Sequence, residues 1–142
     1  MPPDKLRILI IDDEECIRDS LALYLTEQGH ETLTFEQPTK CPAFNDHACG
    51  LNGACADIIL VDHNMPGISG LDYLKQLTRH GCRVLPPNRI LMTGDASPEL
   101  TTEVLQMGCK IVQKPLRFDQ LEDIVNTAKV FISDNRSLSD IY

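Results

Sequence analysis

The sequence has no tryptophan, no long apolar run and a shortage of positive charge. Thirteen Lys and Arg stand against twenty-one Asp and Glu among 142 residues, a net charge of −8 with a pI near 4.8. Attraction to a phosphate backbone would have to be built locally against that field, which argues against nucleic acid as a direct ligand. No apolar stretch approaches the roughly 18 residues that span a bilayer, and Met1-Pro2-Pro3-Asp4-Lys5 runs into a strand-like segment without the apolar core of a signal peptide. A cytoplasmic protein without membrane insertion is expected. Internal repeats and low-complexity tracts are also missing. Aromatics are only 5%, but 42% hydrophobic and 24% charged residues describe a globular chain, and its length suits one domain.

Short apolar runs alternate with helical patterns. Leu6 to Ile11, Glu31 to Phe35, Asp57 to Val61, Arg89 to Met92 and Lys110 to Gln113 read as strands. Glu15 to Gln28, Leu71 to Thr78, Pro98 to Met107 and Phe118 to Phe131 carry helical spacing, several ending at glycine. Repeated βα units predict a parallel sheet with helices on both faces, and continuous runs such as Ile58-Ile59-Leu60-Val61 fit strands buried on both sides.

The polar residues at the strand ends carry the chemistry: Asp12 and Asp13 after the first strand, Asp62 after the third, Thr93 after the fourth, Lys114 after the fifth. Ligands of open parallel sheets sit outside those carboxyl ends. Each residue alone could be a helix cap or a strand exit, but together they converge on one crevice. Three neighbouring carboxylates repel one another unless a pKa rises or a hard cation such as Mg²⁺ enters. A carboxylate beside such a cation, a lysine and a hydroxyl can attack phosphorus, giving an aspartyl phosphate.

Ile-Ile-Asp12-Asp13-Glu, Ile-Leu-Val-Asp62-His-Asn-Met-Pro-Gly-Ile-Ser-Gly70, Leu-Met-Thr93-Gly-Asp-Ala and Gln-Lys114-Pro115 resemble the receiver domain of two-component response regulators, in order and over about Lys5 to Phe131. The resemblance implies a flavodoxin-like, doubly wound five-stranded sheet of order 2-1-3-4-5. It implies phosphorelay signalling, with a sensor histidine kinase or phosphotransfer protein as donor and Asp62 as phosphoacceptor. Asp13, Asp62 and the backbone carbonyl of Asn64 would ligate Mg²⁺ (or Mn²⁺), Asp12 acting mainly through a metal-bound water. Thr93 and Lys114 would bind the phosphoryl oxygens, Lys114-Pro115 would be a cis peptide, and Asn64 and Asp95 would modulate self-catalysed hydrolysis. Residues 1–131 would form the domain and 132–142 a polar tail or linker stub. Output would come from an unknown downstream partner or from a domain outside this sequence. An aspartate-nucleophile phosphohydrolase shares the Asp, Mg²⁺, Thr and Lys set, but such enzymes usually carry a second acid where Asn64 stands.

Two features depart from that family. Ile111 occupies the position where receivers usually have an aromatic switch residue. Between the second and third strands, the expected helix gives way to a segment rich in Pro, Gly and Cys, where Cys41, His47, Cys49 and Cys55 follow the spacing C-x5-H-x-C-x5-C. These four could hold Zn or Fe, form a redox-sensing disulfide, or simply be buried thiols and a solvated histidine; no C-x2-C pair decides for metal. Cys16, Cys82 and Cys109 lie in or beside apolar segments and read as small core residues.

Overall fold

The computed structural model describes residues 3–41, 44 and 53–141. Its strands are β1 (Arg7–Ile11), β2 (Glu31–Phe35), β3 (Ile58–Asp62), β4 (Arg89–Thr93) and β5 (Lys110–Gln113), and its helices are α1 (Glu15–Glu27), α2 (Gly70–Arg79), α3 (Pro98–Gln106) and α4 (Phe118–Lys129). All strand pairs are parallel, in the order β2-β1-β3-β4-β5. The doubly wound sheet is therefore as expected.

Alternation along the central strands explains their unbroken hydrophobicity. Ile8 and Ile10 of β1, Ile58 and Leu60 of β3, and Ile90 and Met92 of β4 pack against Leu21 and Leu25 of α1 and Leu121 and Val125 of α4. Their neighbours Leu9, Ile11, Ile59, Val61 and Leu91 face the other way, onto Tyr73 and Leu74 of α2 and Leu100 and Val104 of α3. Two cores share one sheet, so a strand residue pointing either way is buried. Ser69 and Ser97 cap α2 and α3 by accepting the backbone N–H groups of Asp72 and Leu100, a satisfaction of orphan donors that sets where these helices begin.

Between β2 and β3 the described residues contain one 3-10 turn, Pro38–Lys40, and no α-helix. Proline and the following Cys-rich composition agree with that.

The C-terminal segment, expected as a polar tail or linker stub, folds back on the amino ends of the strands. Arg136 donates to both carboxylate oxygens of Asp57, at 2.9 and 2.8 Å, and to the Lys5 carbonyl. Arg7 donates to the Ser139 carbonyl at 2.7 Å, the Ser139 amide donates to the Ala54 carbonyl, and Ala54 and Leu138 form a parallel bridge. Asp57 is buried, and a buried carboxylate requires a partner of opposite charge. That demand draws a polar segment inward.

Candidate phosphoryl-acceptor site

The carboxyl ends of β1, β3, β4 and β5 open onto one crevice. Asp12, the first residue past β1, is fully buried and its amide donates to the Phe35 carbonyl of β2. Its Oδ1 accepts the Glu14 N–H at 2.9 Å, turning the chain into α1, and its carbonyl accepts from Arg18 at 2.7 Å. Asp62 ends β3 with 3% exposure. The His63 amide donates to the Met92 carbonyl and the Gly70 amide to the His63 carbonyl, which folds the 63–69 loop back over the strand end. Gly67 holds φ at +87° there, a conformation open to glycine at little cost. At Gly70 a Cβ would come within 2.5 Å of the Asp62 carbonyl oxygen and of a Leu91 methyl, so only glycine lets α2 start this close to the site.

Asp12, Asp13, Glu14 and Asp62 each bring a carboxylate oxygen within 4.8 Å of the others. Among the described residues this is the single group of metal-ligating side chains so gathered. Lys114 reaches into it from the end of β5: its Nζ lies 3.0 Å from Asp12 Oδ2, 3.4 Å from Asp62 Oδ1 and 3.4 Å from Glu14 Oε1. The Lys114-Pro115 bond is cis, as expected.

One ammonium does not balance four carboxylates. Burial pushes the Asp62 carboxyl up to about 6, aided by the charge of Asp12 and opposed by Lys114. Lys114 is itself held above its ordinary value: burial works against the ammonium, but the hydrogen bond and charge of Asp12, followed by those of Asp62, outweigh it. A buried carboxyl forced toward protonation in an all-oxygen cluster is the condition a hard divalent cation relieves.

Thr93 is buried at the end of β4, one residue beyond the Asp62–Met92 pair. Its hydroxyl accepts the Asp95 N–H at 3.1 Å and contacts the Asp95 carbonyl at 3.3 Å. Asn64 and Asp95 are both exposed, on the loops after β3 and β4. Ile111 is half-buried, paired in register with Leu91 and packed on that face of the sheet. Two participants escaped the sequence reading. Glu14 joins the acidic group, and its position beside the Asp12-Asp13 pair was the available signal. Gln113, whose carboxamide bonds to the loop after Thr93, had none beyond sitting next to Lys114.

Cys41 is buried and Cys55 half-buried, both in the core that includes Tyr73; His47 and Cys49 lie outside the described residues. Cys82 and Cys109 also pack in that core, as their apolar surroundings suggested, whereas Cys16 on α1 is exposed.

A sequence profile described as the response regulator receiver domain matches residues 8–126. The chain belongs to this family. It is 36% identical over 114 residues to the transcriptional regulatory protein FixJ of Azorhizobium caulinodans, covering 80% of this chain and 50% of that protein. It is 33% identical over 132 residues to the regulatory protein AtoC of Escherichia coli, covering 86% of this chain and 25% of that protein. The chain thus spans about half or less of the length of these relatives. In fold it is similar to the signal receiver domain of a LuxO repressor protein from Vibrio parahaemolyticus, with TM-score 0.74 and 19% identity over 89% of this chain and 92% of that one. As a receiver domain it is a module of two-component phosphorelay signalling, and receiver domains typically bind Mg²⁺ at an acidic pocket such as this one. Among the described residues, no helix is long and apolar enough to cross a membrane.

Proposed function

We propose that this domain accepts a phosphoryl group on Asp62 from a phosphohistidine of a sensor kinase or phosphotransfer protein, and that the modified domain changes its binding to a downstream protein. The observation that carries the reading is the buried Asp62 carboxylate, set within 4.8 Å of three further acids and 3.4 Å from Lys114. Asp13, Asp62 and the Asn64 carbonyl would hold Mg²⁺, with Asp12 acting through a bound water. The ion, when present, supplies positive charge that neutralises the carboxylates and the transferring phosphoryl oxygens.

A carboxylate oxygen of Asp62 attacks phosphorus, the phosphorus–nitrogen bond of the donor breaks, and the donor imidazole leaves with the electron pair. Lys114 meets the charge on the phosphoryl oxygens, and Thr93 donates a hydrogen bond once its hydroxyl leaves Asp95. Hydrolysis returns the carboxylate and inorganic phosphate, with Asn64 and Asp95 flanking the path of the water. Residues 1–131 are read as the receiver domain and 132–142 as a polar C-terminal tail or linker stub, and the cytoplasm, where such donors present phosphohistidine, is the expected compartment. Incubation with acetyl phosphate tests the reading by intact mass. One phosphoryl group should be added when Mg²⁺ is present and none when it is chelated, and Asp62→Asn should take none. Undiminished labelling of that variant would overturn the assignment.

A further inference from the structure

The loop after β4 is held by a side chain that the phosphoryl chemistry does not use. Gln113 ends β5 in register with Thr93. Its Nε2 donates to the Gly94 carbonyl at 2.6 Å, its Oε1 accepts the Ala96 N–H at 3.3 Å, and Nε2 also lies 3.5 Å from the Lys114 carbonyl. One carboxamide therefore brackets Asp95 from both sides. The Lys114 amide ties down the base of the same loop by donating to the Thr93 carbonyl at 2.7 Å.

Asp95 is the residue that occupies the Thr93 hydroxyl, through its N–H and its carbonyl. A hydroxyl that donates to the Asp95 carbonyl cannot donate its one hydrogen to a phosphoryl oxygen at the same time. Freeing it requires the 94–96 backbone to shift or Thr93 to rotate away, and Gly94 and Ala96 are both anchored to Gln113. Ile111 provides no polar hold on the loop, since it is an aliphatic side chain on the Leu91 face.

We propose that Gln113 is a positioning residue: its carboxamide keeps the 94–96 loop in the resting arrangement, with the Thr93 hydroxyl on Asp95, and so sets how readily the site adopts its phosphoryl-bound form. The inference rests on the reading of Asp62 as phosphoacceptor. Two neutral hydrogen bonds from an exposed side chain shift such an equilibrium several-fold rather than by orders of magnitude.

The test compares wild-type protein with Gln113→Leu, which removes both loop bonds, and Gln113→Glu, which keeps the acceptor for Ala96 but sets an oxygen against the Gly94 carbonyl. Each is titrated with beryllofluoride, a tetrahedral phosphoryl mimic for carboxylates, at saturating Mg²⁺ and followed by the Asp95 amide resonance. The apparent beryllofluoride affinity of Gln113→Leu should tighten several-fold, with Mg²⁺ affinity unchanged. Its Asp95 amide, before any beryllofluoride is added, should already be displaced toward the position seen in bound wild-type protein. Gln113→Glu should fall between the two. Because the side chain is exposed, losing its loop bonds should lower the unfolding midpoint only slightly, and both variants should remain folded. If wild-type protein binds the mimic while Gln113→Leu is unchanged or weaker, or its Asp95 amide is not displaced, the inference is wrong and the Asp62 reading stands. If wild-type protein does not bind the mimic, the Asp62 reading falls and the inference with it.

Discussion

Lys114 stands 3.0 Å from Asp12 and only 3.4 Å from Asp62, so the side chain that would meet a phosphoryl group spends its charge first on the buried acid beside the acceptor. Its removal should leave the acidic cluster without a cation. In Lys114→Met the Asp62 carboxyl, already about 6 chiefly through burial and the neighbouring Asp12 charge, should titrate higher still. Carbon-detected NMR titration of metal-free protein reads this directly, and an unchanged Asp62 would contradict the placement of Lys114.

The raised Asp62 carboxyl also makes a stability prediction for metal-free protein. Between its ordinary value of 3.8 and about 6 the folded chain binds more protons than the unfolded one, so this group stabilises most below that window and the contribution is lost as pH rises through it. The unfolding midpoint of wild-type protein minus that of Asp62→Asn should fall across this interval in chelator. Mg²⁺ should restore stability to wild-type protein above the window. A difference flat with pH would contradict the burial of a titrating Asp62.

His30 should act in the opposite sense. Its Nδ1 accepts the Leu6 N–H at 3.1 Å, and the ring is buried. Burial, aided by Lys129 and opposed by Asp57, holds its pKa below 6.5. The unfolded chain therefore binds more protons just below 6.5, and stability should decline as pH falls through that region. His30→Gln, which keeps an acceptor in place, should remove that part of the acid sensitivity in urea unfolding.

At the opposite end of the sheet, Arg136→Met should leave the Asp57 carboxylate buried with the Arg7 amide, 2.8 Å away, as its remaining described hydrogen-bond donor. A loss of about 1–3 kcal/mol is expected for a buried acceptor deprived of a charged partner, read as a lower urea midpoint with unchanged slope. Gly53→Ala should loosen the same segment, because a Cβ there meets the Ser137 carbonyl. Phosphoryl acceptance at Asp62 should survive both changes.

The sheet and the site were legible for the same reason. In a doubly wound sheet the central strands are buried on both faces, so β1, β3 and β4 carry unbroken apolar runs, and the first polar residue after each run marks the strand's carboxyl end. Asp12, Asp62 and Thr93 could be placed that way, and Lys114 followed from β5. The C-terminal fold-back could not: Arg136 and Asp57 are 79 positions apart, and neither the charge of Arg136 nor the polarity around it distinguishes an exposed arginine from one recruited by a buried acid. Gln113 was hidden likewise, because a glutamine near a strand end has no pattern until the facing loop is in place.

The central claim is that Asp62, rather than any of the three acids beside it, takes the phosphoryl group. Borohydride reduction of protein freshly treated with acetyl phosphate and Mg²⁺ converts an aspartyl phosphate to homoserine, which peptide mass spectrometry locates by position. Homoserine at position 62 alone is the expected result. Homoserine at Asp12 or Asp13, or the reduced product of a phosphorylated Glu14, with Asp62 intact would contradict the account.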